Sequence, residues 1–109
     1  MFKFKDLSSV HLEISNRCQA SCPMCPRNIH SGIENPLIKN ADWTLEEFKT
    51  VFNQEVLDQL SKISFCGSFG DPIMNNDLIG MCEYIKANGG HIDVRIHTNG
   101  SARNAKWWQ

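Results

Sequence analysis

Hydrophobic and polar residues alternate in three short stretches of the chain, a pattern typical of β-strands with one buried face. The stretches are VHLEIS at residues 10–15, KISFCG at residues 62–67 and HIDVRIH at residues 91–97. Glycine, proline, serine or asparagine follows each of them within a few positions, as is common where a strand gives way to a loop. We therefore predict three strands.

A first helix is predicted after the long irregular segment that runs from the first strand to about residue 43. It begins at Thr44, which can form a capping box with Glu47, so that each side chain satisfies a backbone N–H of the first turn. The apolar residues at helical spacing are Leu45, Phe48, Phe52, Val56 and Leu60. This stripe predicts one continuous helix that reaches about residue 60.

A second helix is predicted from about Asp77 to Ala87, between the second and third strands. Asn76 is its candidate N-cap, and Gly89 with Gly90 ends it. Its apolar face holds Leu78, Cys82 and Ile85. The stretch ARNAKWW at residues 102–108 predicts the opening of a third helix.

The order of these elements, β-α-β-α-β-(α), predicts an α/β fold with parallel strands and crossover helices. In such folds the chemistry gathers at the carboxyl ends of the strands. Three unusual segments lie there: the cysteine-rich segment, which follows strand one and runs to about residue 43, GSFGDP at residues 67–72, and TNG at residues 98–100. We expect them to form a single site.

A three-stranded parallel sheet would leave open edges, which natural proteins avoid. A complete eight-unit barrel takes ~250 residues, or roughly 30 for each βα unit. The chain has 109 residues, and Trp107 and Trp108 stand at its end as candidate core anchors. We expect residues 1–109 to be the N-terminal portion of a larger barrel, interrupted within its third helix.

Composition narrows the class of protein. Hydrophobic residues make up 41% and charged residues 21%, which is ordinary for a folded domain, and the net charge of -1 gives no basic field for nucleic acid. No apolar run approaches the ~18 residues of a membrane span, and the first ten residues lack a secretory apolar region. We expect a cytoplasmic protein, in which five cysteines favour metal or catalytic thiols over disulfides.

Three of the five cysteines, Cys18, Cys22 and Cys25, form a C-x3-C-x2-C motif. Three thiolates can hold an iron–sulfur cube with one iron open to a substrate, as a catalytic metal centre requires. A fourth ligand, such as His30 or His97, would instead complete a zinc site or a cluster without catalysis.

A further alternative is a dithiol redox site, since Cys22 and Cys25 form C-x-x-C. Such a motif normally opens a helix directly, whereas the next predicted helix here begins at Thr44. The two other cysteines, Cys66 and Cys82, are not spaced as a ligand pair, and we expect them to be small buried hydrophobic residues.

The motifs together resemble those of the radical S-adenosylmethionine (radical SAM) superfamily. SNRCQASCPMCPRN is similar to members that modify peptides or proteins and carry appended SPASM/twitch-type cluster domains. CGSFGDPIMNNDL resembles the Gly-Gly-Glu-Pro segment after strand two, and HTNGS resembles the Thr-Asn-Gly end of strand three. The resemblance implies the first half of a partial (βα)6 TIM-like barrel.

The resemblance also implies an activity. A [4Fe-4S] cluster held by Cys18, Cys22 and Cys25 would bind S-adenosylmethionine (SAM) through its amino and carboxylate groups. Reductive cleavage would give a 5′-deoxyadenosyl radical that abstracts hydrogen from a substrate, with a peptide or protein as the candidate. An electron donor such as flavodoxin or ferredoxin would be the partner.

Other residues of the site are implied one by one. Met24 stands where the family often places an aromatic residue near the adenine. Gly70, Asp71 and Pro72 match Gly-Glu-Pro, whose backbone and acid receive the SAM amino group, although Asp71 is one methylene shorter than Glu. Thr98 and Asn99 would face the site from strand three. Arg17 and Arg27 are candidates for pairing with a carboxylate of SAM or substrate.

Overall fold

The protein is an α/β fold built on a parallel three-stranded sheet. A computed structural model describes residues 3–18, 20, 22, 24–29 and 33–109. The strands of the sheet are β1 (Ser9–Leu12), β4 (Lys62–Phe65) and β5 (Asp93–Ile96), in the order β1-β4-β5. Both strand pairs are parallel. The predicted fold class is therefore confirmed.

Helices fill the connections between these strands. They are α1 (Leu45–Val51) and α2 (Gln54–Gln59) before β4, α3 (Leu78–Asn88) before β5, and α4 (Ala105–Trp108) after it. The sequence pattern did not indicate two 3₁₀ turns, Phe4–Asp6 and Pro72–Met74, or an antiparallel hairpin of β2 (Asn28–Ile29) and β3 (Ile33–Glu34). None of the helices in the described part of the chain is long and apolar enough to cross a membrane.

One face of the sheet is apolar and is covered by the helices. The strand register aligns Leu12 with Phe65 and Val10 with Ile63, so their side chains share this face. Phe48 of α1 stacks on Phe52 with ring centroids 4.8 Å apart. The core comprises Ile14, Phe48, Phe52, Leu57, Leu60, Ile63, Phe65, Leu78, Met81, Ile85 and Ile92. Because this face is buried against three helices, the side chains that each strand directs to it are determined.

The opposite face of the sheet is polar. The register places His11, Ser64 and Arg95 side by side across the three strands. Glu13 and Cys66 follow two residues further along their strands and extend the same face. The face of the sheet that packs against the helices is therefore apolar, whereas the opposite face carries ionisable and hydroxyl groups.

The predicted helix from Thr44 to about residue 60 is wrong in one respect, because it is two helices. Phe52 leaves helical geometry at φ -98° and ψ 66°, and the Asn53 side chain caps α2 by accepting a hydrogen bond from the Val56 N–H at 3.1 Å. Phe48, Phe52 and Leu60 of the predicted stripe are buried on the two sides of the break, whereas Val56 is only partly buried. Leu57, which the stripe did not include, is the buried residue of α2. The predicted Thr44 cap is confirmed, since its hydroxyl accepts from the Glu47 N–H at 3.1 Å.

The prediction that Asn76 is the N-cap of α3 is wrong. Asp77 occupies that position, and its carboxylate accepts instead from the Leu45 N–H at the start of α1. The Asn76 side chain accepts from Arg103 at 3.1 Å. The prediction failed because both residues are good capping types, and only the packing of α1 against α3 distinguishes them.

The strands are shorter than the alternation predicted. After Leu12 the chain no longer pairs with β4. Ser15 instead forms an antiparallel bridge with Asp42. At the other end, Trp107 packs against the core, as expected of an anchor, while Trp108 is 49% exposed.

Replacing the cap of α2 tests the break between the first two helices. Asn53→Ala should lower the free energy of unfolding by about 1 kcal/mol, because the first turn of α2 loses its side-chain acceptor. Asn76→Ala is the matched control and should cost less than about 0.5 kcal/mol, since it removes only an exposed contact. Urea unfolding followed by circular dichroism measures both, and equal costs would contradict the assignment.

Candidate functional site

The segments after β1 and β4 lie against each other at the carboxyl edge of the sheet. The Asp71 N–H donates to the Arg17 carbonyl at 2.8 Å. A β-carbon at Gly70 would lie 2.6 Å from the Cα of Asn16, so only glycine fits this contact without moving the backbone. The convergence of these two segments, expected from the sequence, is therefore present in the structure.

Asp71 joins the segment after β4 to the segment after β5. Its side chain is buried, with a residue exposure of 4%. One carboxylate oxygen accepts from the Ile73 N–H at 3.0 Å and caps the 3₁₀ turn Pro72–Met74. The other accepts from the Thr98 hydroxyl and from the Asn99 N–H, both at 2.9 Å. Both oxygens of this carboxylate thus have protein donors.

The cysteine-rich segment is contacted by both neighbouring segments. The Asn99 side-chain nitrogen lies 3.5 Å from the sulfur of Cys18. The sulfur of Cys25 lies 3.9 Å from the Ser68 carbonyl oxygen. The Cys22 carbonyl accepts from the Cys25 N–H at 3.2 Å, which closes a turn between the second and third cysteines of the motif. Two of the three predicted ligands are therefore placed beside residues of the other two strand ends.

The thiols have the chemistry that an iron–sulfur cluster needs. Cys18, Cys22 and Cys25 are each at least partly exposed. Within the described ranges, no three His, Cys, Asp or Glu side chains are grouped so that they could hold a single metal ion. In a cube each thiolate bonds a different iron, so its three sulfurs need not meet at one point. The donor set therefore fits a cluster.

Both arginines that flank the motif have protein partners. Arg17 pairs with Asp42 and also donates to the Met74 carbonyl at 2.7 Å. Although desolvation opposes ionisation of Asp42, hydrogen bonds from Arg17 and Ser15 outweigh it and hold its pKa below the usual value. The Asp42 hydrogen bond in turn raises the pKa of Arg17.

Arg27 is 3% exposed and lies inside the cysteine-rich segment. It pairs with Glu34 and donates to the Asn16 carbonyl at 2.5 Å and to Asn40 at 3.3 Å. Its guanidinium therefore fixes the segment from within and is not directed at a ligand carboxylate.

The other predicted residues differ in their burial and in their hydrogen bonds. Pro72 is buried at the first position of the 3₁₀ turn, whereas Met24 is 95% exposed beside the cysteines. The Thr98 hydroxyl, besides donating to Asp71, accepts from the Gly100 N–H at 3.1 Å. His97 is exposed after β5, and His30 lies outside the described residues.

A second cluster of reactive side chains lies on the polar face of the sheet, next to the motif. The Cys66 sulfur is 3.6 Å from His11 Nδ1, and the Ser68 N–H donates to the Glu13 carboxylate. These residues line an open cavity of about 350 Å³. Burial raises the pKa of Cys66, and the charge of Glu13 raises it further.

Sequence reasoning treated Cys66 and His11 separately, because only the strand register brings residues 55 positions apart together. The alternation of polar residues along β1 and β4 was the available signal. The prediction that Cys66 is a small buried hydrophobic residue is wrong, because it is partly exposed and lies against His11. Cys82 is partly buried and packs against the core, and burial, with Glu83 adding to it, raises its pKa.

Known proteins were compared with the chain as a whole. No protein-family model matches it, and no curated protein matches it. One solved structure is similar: BtrN, a radical SAM enzyme, in its crystal structure with AdoMet and 2-DOIA. The TM-score is 0.69 at 23% sequence identity, over 91% of this chain and 38% of the BtrN chain.

This likeness concerns the fold. The chain spans 38% of the length of the structure it resembles, so the similarity covers a part of that larger protein. The three parallel strands and their helices correspond to part of the fold of BtrN.

Proposed function

We propose that residues 1–109 are the N-terminal portion of the core of a radical SAM enzyme. The observation that carries the proposal is the placement of C-x3-C-x2-C. The motif follows the first strand of a parallel sheet whose fold resembles BtrN, and residues from the two other strand ends contact it. Neither a dithiol site nor a structural zinc site requires these contacts.

Cys18, Cys22 and Cys25 would hold the cluster as thiolates. When bound, a [4Fe-4S] cluster would supply the electron for the reductive cleavage of SAM, and the cleaved SAM would in turn supply the means of hydrogen abstraction from the substrate. The protein holds the sulfonium close to its electron source, which is a proximity effect. A one-electron carrier such as flavodoxin or ferredoxin is the proposed donor.

The SAM amino group is proposed to bind backbone carbonyls of the segment after β4. Asp71 was the sequence candidate for this contact, yet its two oxygens already accept from Ile73, Thr98 and Asn99. The Ser68 carbonyl faces Cys25 and is a suitable acceptor for an ammonium group. Gly70 and Pro72 shape this segment, and Thr98, Asn99 and Met24 remain candidates for the wall of the SAM pocket.

The substrate is proposed to lie over the polar face of the sheet. His11, Glu13 and Cys66 line the cavity there, and Ser68 joins that cavity to the cysteine-rich segment. Groups of this kind hydrogen-bond polar substrates, and a peptide or protein segment satisfies that requirement.

Iron content gives the first test. After anaerobic reconstitution with iron and sulfide, the protein should bind about four irons per chain. Cys18→Ala, Cys22→Ala and Cys25→Ala should each abolish the cluster, because every one removes an iron ligand. Cys66→Ala and Cys82→Ala are the matched controls and should keep it. Binding of one zinc and no iron, or loss of the cluster in the controls alone, would contradict the proposal.

Cleavage of SAM gives the second test. The full-length protein that carries residues 1–109, reconstituted and reduced with dithionite in the presence of SAM, should release 5′-deoxyadenosine and methionine in equal amounts. Residues 1–109 alone should be inactive or nearly so, because they are proposed to be only a portion of the core. Cys22→Ala should release neither, because the electron source is lost. An intact cluster that never yields 5′-deoxyadenosine would show a non-catalytic iron–sulfur protein instead.

A further inference from the structure

Asn99 is placed to act on the cluster ligand Cys18. Its side-chain nitrogen lies 3.5 Å from the Cys18 sulfur, an ordinary distance for an N–H···S hydrogen bond. An amide nitrogen can only donate in such a contact, and a thiolate can only accept. The contact therefore joins a neutral dipole to the atom that would carry negative charge.

The orientation of the Asn99 amide is set by its own neighbours. Its oxygen accepts from the Ser101 N–H at 3.0 Å and from the Ser101 hydroxyl at 2.8 Å. A backbone N–H cannot accept, so the oxygen has to face Ser101 and the nitrogen has to face Cys18. The direction of this dipole thus follows from the donors present.

The backbone of Asn99 is also held. Its N–H donates to the buried Asp71 carboxylate at 2.9 Å, and the preceding residue, Thr98, donates to the same oxygen. The Ile73 N–H occupies the other carboxylate oxygen and anchors Asp71 to the 3₁₀ turn. This chain of bonds holds the Asn99 backbone against the buried Asp71 carboxylate.

We propose that Asn99 raises the reduction potential of the cluster by donating its side-chain N–H to the Cys18 thiolate, and that Asp71 is the positioning residue that holds it there. This inference rests on the proposed function. One electron enters the cluster, and the added negative charge is shared by its sulfurs. A hydrogen bond to a ligand sulfur stabilises the reduced state more than the oxidised state.

The test is an anaerobic titration of the reconstituted protein without SAM, followed by electron paramagnetic resonance of the reduced cluster. Asn99→Asp is nearly isosteric, keeps the acceptor for Ser101 and replaces the N–H donor by a carboxylate oxygen. It should lower the ratio of reduced to oxidised cluster at a fixed potential about tenfold, which is ~59 mV for one electron. Asn99→Ala should shift the ratio in the same direction.

Asp71→Asn should produce a smaller fall of the same sign, since it loosens the support of Asn99 and leaves the donor present. Asn76→Asp is the matched control: it makes the same charge change at a position bonded to Arg103, and it should titrate like the wild type. If Asn99 only contacted SAM, its substitution would leave the midpoint potential of the cluster unchanged, because SAM is absent from the titration.

Iron is counted in every sample, so the two proposals fail in different ways. If the wild type assembles no four-iron cluster, the proposed function is overturned, and this inference falls with it. If the wild type and Asn99→Asp both hold the full cluster and titrate at the same midpoint, only the role of Asn99 is overturned. If Asn99→Asp assembles no cluster, Asn99→Ala decides: an unchanged midpoint there also overturns the inference.

Discussion

The arrangement of the site depends on one buried carboxylate. Burial of a charged group costs several kcal/mol unless hydrogen bonds compensate for it, and Asp71 has three donors on its two oxygens. A hydrogen bond to a charged group contributes about 1.5–3 kcal/mol, so the donors offset a cost of that size. The same bonds tie the segment after β4 to the segment after β5.

The short side chain of aspartate suits this role. One oxygen reaches back to the N–H of Ile73, two residues along the chain, as in the local caps that aspartate commonly forms. The other oxygen is left to meet Thr98 and Asn99 across the sheet edge. A glutamate, one methylene longer, would fit the local cap less well. An aspartate at this position is thus accounted for by its structural role.

The sheet buries apolar side chains on one face, and the segments with reactive side chains lie at its carboxyl edge. Its apolar face is committed to the helices, which explains why alternation along the strands predicted the fold class correctly. The convergence of the segments that follow the strands was also predictable, because parallel strands bring their carboxyl ends to one edge. What alternation could not predict is the break at Asn53, since the apolar stripe continues across it, or the hairpin within the cysteine-rich segment, which has too few residues to show a period.

The positions of residues relative to the strand ends were easier to predict than their contacts. Asp71, Thr98 and Asn99 lie where the motifs indicated, yet Asp71 turned out to bond the other two. Contacts of this kind join residues almost 30 positions apart, and local sequence carries no signal for them. The contact of His11 with Cys66, which lie 55 positions apart, depends on tertiary packing in the same way.

Amide hydrogen exchange tests the central role of Asp71 most directly. The N–H groups of Ile73 and Asn99 lie outside the strands and the α-helices, and both donate to this carboxylate. By nuclear magnetic resonance, they should exchange about as slowly as the Cys66 N–H, which bonds to the Leu12 carbonyl beside the sheet. Exchange of Ile73 and Asn99 as fast as in an unprotected loop would contradict the account.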